Sequence, residues 1–169
     1  MRYVLILGCL MITSCLSVPD GVVPVKNFEL DRYLGRWYEI ARLDHSFERD
    51  LEAVSANYSL KDDGGIKVIN SGINTETGLQ EQAEGRAYFV EDSILGHFKV
   101  SFFGPFFGSY VIFELDQQDY QYAFVAGNTT NYLWLLARTP EVSDDLMNHF
   151  RSSAEELGFN LEDLILVKH

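Results

Sequence analysis

Gly35-Arg36-Trp37-Tyr38 is the point at which this chain changes character. Beyond it come short segments rich in aromatic and β-branched residues, each closed by a turn signal. Alternation of apolar and polar residues marks eight strands, over residues 37–43, 54–60, 66–73, 82–90, 97–103, 109–115, 120–126 and 132–137. The breaks at 61–65, 74–78, 116–119 and 127–131 are rich in Gly, Asn, Asp and Thr, among them the residues that favour turns. From Gly35 to Arg138 each strand with its turn takes about 13 residues. That spacing predicts an all-β, up-and-down antiparallel barrel of eight hairpin-linked strands.

On either side of the barrel the period changes. A short helical entry covers 30–34, just ahead of the first strand. After the eighth strand, Ser143 is an N-cap, with Asp144 and Asp145 in the first turn where the helix dipole favours acids. Leu146, Phe150, Ala154 and Leu157 then recur at helical spacing, and Gly158 ends the run. One amphipathic helix following eight strands packs on the outside of the barrel. A last short strand is expected over 164–167.

Composition limits what such a barrel can do. At 169 residues the chain forms one domain with a sizeable core, 47% hydrophobic and 14% aromatic. Its net charge of −12 repels phosphate backbones and anionic headgroups, which argues against nucleic acid and against charge-driven membrane binding. The first 14 residues differ in kind: Arg2 is their only charge and residues 4–12 are almost wholly apolar. This is a secretory signal pattern, too short to span a bilayer comfortably. Ile12-Thr13-Ser14-Cys15 resembles a bacterial lipobox, in which cleavage precedes the Cys and the Cys is acylated; the alternative is an ordinary signal peptide that ends near a Cys. Leu16 in place of Asp after that Cys favours, by enterobacterial sorting rules, the outer membrane. Cys9 would leave with the leader, so the mature chain keeps no thiol for a disulfide or a nucleophile. Residues 16–27 read as an extended tether reaching at most about 40 Å, which leaves the orientation at the membrane loosely fixed.

Gly35-Arg36-Trp37-Tyr38 resembles the G-x-W signature of the lipocalin family, and Leu135-Leu136-Ala137-Arg138-Thr139-Pro140 resembles the family motif at the end of the eighth strand. The resemblance covers residues 28–169 and is closest to bacterial outer-membrane lipoprotein lipocalins, with 36–47, 62–70 and 99–108 alike in detail. It implies a fold of signal peptide (1–14), lipidated Cys15 with its tether (15–27) and one lipocalin domain (28–169). It further implies that Arg138 packs over Trp37 to close the barrel floor, so Gly35, Trp37 and Arg138 serve the fold. The bacterial relatives also bring the expectation of a homodimer and a preference for single-chain phospholipids.

Side chains alternate inward and outward along a barrel strand. Taking Trp37 as inward, the ligand-facing set becomes Glu39, Ala41, Ala56, Tyr58, Val68, Asn70, Val100, Phe102, Val111, Phe113, Val125, Trp134 and Leu136. This wall is apolar with three polar points, a lining suited to an acyl chain; alternatively the same aromatics fill the barrel as core. Glu39 is the one charge placed inside, either a functional acid with a raised pKa or a structural one. Residues 102–108 (Phe-Phe-Gly-Pro-Phe-Phe-Gly) fall in a loop at the open mouth, beside the loop carrying Phe47. They form a lid, a dimer contact or a membrane-facing lip, or else turn inward as core.

The four His residues are scattered and lack metal-ligand spacing, and neither a hydrolase elbow nor a phosphate loop occurs in context. No cofactor and no enzymatic activity are expected. The expected function is a membrane-anchored carrier or store for lysophospholipids or fatty acids in envelope maintenance. The rival readings are a lipid-modifying lipocalin using Glu39 as acid and base, and a dimerising structural lipoprotein.

Overall fold

The computed structural model describes residues 16–169; the expected leader (1–14) and Cys15 lie outside the described residues. Eight strands follow a one-turn helix α1 (Leu30–Tyr33): β1 (Gly35–Arg42), β2 (Leu51–Leu60), β3 (Ile66–Asn74), β4 (Gln80–Phe89), β5 (His97–Ser101), β6 (Gly108–Leu115), β7 (Tyr122–Ala126) and β8 (Leu133–Ala137). Each pairs antiparallel with the next, and β1 pairs with both β2 and β8, which closes the barrel. Helix α2 (Asp144–Glu156) and a two-residue strand β9 (Ile165–Leu166) on the β1 edge complete the chain.

Antiparallel succession sorts the loops into two ends. The loops after β2, β4 and β6 gather with α1 at one end, the floor; those after β1, β3, β5 and β7 form the mouth. At the floor the Arg138 guanidinium lies 3.9 Å from the centre of the Trp37 ring. Its Nη1 and Nη2 donate to the carbonyls of Arg36 and Arg32 at 2.8 and 2.7 Å. Trp37 Nε1 in turn donates to the Tyr33 carbonyl at 2.7 Å. A stack of this kind contributes about 0.5–2 kcal/mol, and here it also ties α1 to the ends of two strands. Gly35 makes the entry workable, since its φ of +91° is a conformation L side chains rarely adopt.

Two faces of the barrel are covered, not one. Ser143 Oγ accepts from Leu146 N and caps α2, whose Phe150 and Ala154 are fully buried against the outer side chains of β1, β6, β7 and β8. Those strands are therefore apolar on both faces, and alternation cannot fix their phase. Three expected inward residues face outward, two of them for this reason. Val111 and Phe113 point outward under α2, Phe113 stacking on Phe159 at 6.3 Å, while Tyr110 and Ile112 point in. Ala41 also faces outward, for a different reason: the β1–β8 register shifts between Glu39 and Ala41. A bulge there puts Ile40 and Ala41 on the same outer face and turns the next side chain, Arg42, into the barrel.

The N-terminal segment is an ordered strap and not a loose tether. Ser17 Oγ donates to the Asn128 carbonyl, in the β7–β8 loop at the mouth, at 3.0 Å. Val22 is buried in the outer cluster, Val25 exchanges backbone bonds with Ile112 and Gly96, and Phe28 enters the core at the floor. Residues 17–28 thus run down the outside of the barrel from mouth to floor.

Candidate ligand-binding site

The lower half of the barrel is filled. Phe28, Tyr33, Trp37, Phe89 and Phe98 pack with ring centres 4.5–5.4 Å apart. Above them a chain of hydroxyls, Tyr33–Tyr110 at 2.7 Å and Tyr58–Tyr110 at 2.9 Å, crosses the interior. Burial pushes all three phenols above their usual value, so they stay neutral and the chain is a pure hydrogen-bond relay.

The upper half is hollow. One chamber of about 270 Å³ lies over the tyrosines and is lined by Glu39, Ala56, Tyr58, Val68, Asn70, Val100, Phe102, Trp134 and Leu136 from the expected set. Phe47, Glu48, Tyr110 and Tyr132 also line it. An adjoining chamber of about 380 Å³ opens toward the mouth between β3, β4 and the Phe-rich loop, sharing Phe47, Glu48, Asn70, Val100 and Phe102 with the first. Val125 points inward but is packed among the core and lines neither chamber. Phe102 occupies the space left by Gly85 on the neighbouring strand: a Cβ there would sit 2.8 Å from its ring.

The polar end of this cavity is a six-residue network. Arg42, 2% exposed, donates through Nη1 to Glu39 Oε1 at 2.7 Å and through Nη2 to the Glu48 carbonyl at 2.7 Å. Glu48 sits in the β1–β2 loop but its carboxylate reaches into the barrel. Its Oε1 accepts from Asn70 Nδ2 at 3.3 Å and its Oε2 from Trp134 Nε1 at 3.2 Å. His45 Nε2 lies 3.0 Å from the same Oε2, at ion-pair distance although not aligned as a hydrogen bond. Burial holds the Glu39 carboxyl well above the ordinary carboxylate range, the Glu48 charge adds to the rise, and Arg42 opposes it. Burial also pushes Glu48 up, but His45, Trp134 and Arg42 together outweigh it and leave Glu48 below its ordinary value. The two acids are therefore shifted in opposite directions, Glu39 up and Glu48 down.

Sequence reasoning found Glu39 and placed Phe47 at the mouth, but missed Glu48, Tyr110 and Tyr132. Glu48 belongs to no periodic segment and stands among Asp44, Arg49 and Asp50, which are ordinary solvated loop charges. The Phe-rich run divides between the alternatives open to it. Phe102 faces the cavity and Phe107 folds back on Tyr88, with Arg86 and Lys99 each 5.4 Å from its ring centre. Phe103 and Phe106 are 75% and 74% exposed at the mouth. Among the described residues no three His, Cys, Asp or Glu side chains gather as a metal site, and no helix is long and apolar enough to cross a membrane.

Known proteins bear on this geometry in two ways. Solved structures give the fold: insecticyanin from the tobacco hornworm superimposes with a TM-score of 0.69 at 17% identity, covering 90% of this chain and 87% of that one. The cockroach allergen Per a 4 does so with 0.68 at 20% identity, covering 90% and 95%. Sequence gives the group. Residues 28–169 match the lipocalin-like domain family. The outer membrane lipoprotein Blc of Vibrio cholerae serotype O1 is 54% identical over 164 residues, 97% of this chain and 96% of that one. The protein of the same name from Escherichia coli (strain K12) is 48% identical over 94% of this chain and 90% of its own. A barrel closed by Trp37 and Arg138, hollow above an aromatic floor and this close to those relatives, places the chain in the lipocalin family, among bacterial outer-membrane lipoproteins with a fold for binding small hydrophobic ligands.

Proposed function

We propose that the protein stores or carries one single-chain lipid, a lysophospholipid or a fatty acid, for maintenance of the cell envelope. The observation that carries this reading is the pair of adjoining apolar chambers open at the mouth. The larger, at about 380 Å³, falls within the range of small-molecule sites, roughly 300–1,000 Å³. Its mostly apolar walls suit an acyl chain, and the buried polar network is centred on Glu48. Glu39, the acid an enzymatic reading would need, is already committed to Arg42, so the cavity is built for reversible uptake.

The anchoring half of the proposal rests on the sequence before Leu16. Cleavage ahead of Cys15 and acylation of that residue would tie the protein to the membrane, several acyl chains giving a lasting attachment where one is marginal. Ser17 is fastened to the mouth loop, and Cys15 stands two residues before it, within about 7 Å of chain. An acylated Cys15 would then leave near the mouth end, where Phe103 and Phe106 project. A cavity opening toward the bilayer would load by short transfer and not by diffusion through the periplasm. The same two rings are the surface that a homodimer would bury.

Trp134 lines the inner chamber, whereas Trp37, the other of the two tryptophans, is sealed in the floor. Titration of lipid-stripped protein with palmitoyl lysophospholipid or palmitate is expected to change Trp134 fluorescence saturably with one ligand per barrel. A linear, non-saturating response, unaltered in Trp134→Phe, would refute the carrier reading.

A further inference from the structure

The β1–β2 ladder covers only the floor half of the two strands. Its rungs join Gly35 to Tyr58 and Tyr38 to Ser55, and there it ends. β2 and β3, by contrast, pair from Leu60 with Ile66 at the floor to Leu51 with Asn74 at the mouth. Above Tyr38 both strands of the first pair leave the regular pleat. β1 shifts register between Glu39 and Ala41, and β2 does so between Glu52 and Ser55, with Ala53 held at a φ of +50°. Bulges bend a strand and end local pairing, and a non-glycine residue in the left-handed region is strained. Two such irregularities face each other at one level, so the strands splay apart beside the cavity.

Residues 165–169 fill the opening. Ile165 and Leu166 pair with Arg42 and Ala41, and Val167 N donates to the Ile40 carbonyl at 3.0 Å. On the other side, Ala53 N donates to the Lys168 carbonyl at 2.6 Å. His169 Nε2 donates to the Glu39 carbonyl at 2.8 Å, with its ring edge-on to Tyr38. The segment is thus an inserted strand that stands where the ladder is missing. It is lightly held. None of residues 164–169 is buried, and Leu166 is 55% exposed. Backbone bonds carry the attachment, and each contributes little net where water can replace it. Such segments, poor in buried apolar contacts, are the ones that open locally. The cavity lies directly behind: Glu39, Leu51 and Val54 line the chambers. Inside, Arg42 spans the seam to the Leu51 carbonyl at 3.3 Å, the longest of its bonds.

Resting on the carrier reading above, we propose that residues 165–169 are a releasable latch over a lateral window between β1 and β2, and that their release lets an acyl chain enter the chambers through the barrel wall instead of end-first through the mouth. The slot is one strand wide, about 4.8 Å, which passes a methylene chain and stops anything bulkier. The rung between Tyr38 and Ser55 bounds it below and the β1–β2 loop bounds it above, so the window opens without unzipping the barrel.

A portal sets rates and not the equilibrium, because it serves entry and exit alike; this separates a latch from a merely structural segment. Ala41 and Leu166 face each other one residue from the hydrogen-bonded Ile40–Val167 pair, the closer of the two antiparallel spacings and one that a disulfide can bridge. The full chain carrying Ala41→Cys and Leu166→Cys is compared oxidised and reduced, with the bridge assigned by peptide mass and palmitate followed by Trp134 fluorescence in stopped flow. Oxidation is expected to slow uptake and release together by about ten-fold and to change the affinity less than about two-fold. Rates unchanged by oxidation, or an affinity lost with only one rate altered, overturn the latch and leave the carrier reading standing. Should the bridge not form or the variant not fold, hydrogen exchange of the wild-type chain decides. The Ala53 and Val167 amides are expected to exchange about 100-fold faster than those of the β3–β4 ladder, and equal protection overturns the latch. No saturable uptake of palmitate by the wild-type chain overturns the carrier reading instead, and the exchange rates then still report whether the window opens.

Discussion

Replacing Arg42 by Met tests whether the bulge in β1 exists to bring one cation inside. The native side chain is 2% exposed and holds Glu39 Oε1 and the Glu48 carbonyl at 2.7 Å each, with the Leu51 carbonyl at 3.3 Å. Met keeps the stem and removes every donor. Breaking a buried ion pair from one side costs about 3–5 kcal/mol, a large share of the roughly 5–15 kcal/mol that holds a domain folded. The loss has two sources, which a double-mutant cycle separates. Part is the stranded Glu39 charge, which Glu39→Gln abolishes; the rest is the two carbonyls, about 1–3 kcal/mol each if nothing replaces the donor. Urea unfolding at pH 7, followed by far-ultraviolet circular dichroism, should show Arg42→Met as the worst of the set. The double variant should recover about 1–3 kcal/mol relative to additivity. Because Glu39 already titrates high, it can take up a proton when Arg42 is lost, so the defect of Arg42→Met should shrink as pH falls toward about 5. Additivity within about 0.5 kcal/mol would mean that Glu39 and Arg42 are neighbours and not a unit, and the reading of the bulge would fail.

Two further outcomes follow from other parts of the site. Gly85→Leu would drive a side chain into the Phe102 ring, since even a Cβ lies 2.8 Å from it; Phe102 must then swing into the chambers, and the affinity for long-chain ligands should fall more than that for short-chain ones by isothermal titration. The paired acids should give stability profiles of opposite slope in urea midpoints measured from about pH 4 to pH 8. Glu48, lowered in the folded state, contributes stability above the ordinary carboxylate pKa that is lost as pH falls through its folded value. Glu39, raised, contributes stability that is full below the ordinary value and lost as pH rises through its folded one. The wild-type-minus-Glu48→Gln difference should therefore grow with pH and the wild-type-minus-Glu39→Gln difference should shrink; parallel profiles would refute the opposite shifts of the two acids.

The eight strands, the helix cap at Ser143 and the stack of Arg138 on Trp37 were legible because each is a local pattern or a two-residue motif. Strands β2, β3 and β5 have one core face, and their inward residues Ala56, Tyr58, Val68, Asn70, Val100 and Phe102 follow from alternation alone. Where α2 covers the barrel, β6 is apolar on both sides and the same rule has no purchase, so Val111 and Phe113 came out inverted. The bulge behind Ala41 is a backbone event that no side-chain pattern announces. Glu48 escaped for a third reason: its environment is made by residues 22 and 86 positions away, Asn70 and Trp134, which meet only when the barrel closes.

Whether such a barrel is filled or hollow is decided by how side-chain volume is distributed along its axis. On β3 the inward positions run Ile66, Val68, Asn70 and Gly72 from floor to mouth, and on β4 they run Phe89, Ala87, Gly85 and Ala83 in the same direction. Successive inward residues are about 6.6 Å apart, so two adjacent strands lose bulk together over the upper part of the barrel. On β1, Trp37 gives way to Glu39 over the same rise. The aromatic floor and the hollow mouth are thus one taper, written with period two, and a filled core and a ligand cavity are not competing outcomes here but the two ends of it. The rings that close the bottom also fix the depth to which an acyl chain can descend, since the hydroxyl chain of Tyr33, Tyr110 and Tyr58 lies directly above them. With the depth set from below and Glu48 standing in the β1–β2 loop near the top, the cavity has an apolar end of limited depth and an acidic end.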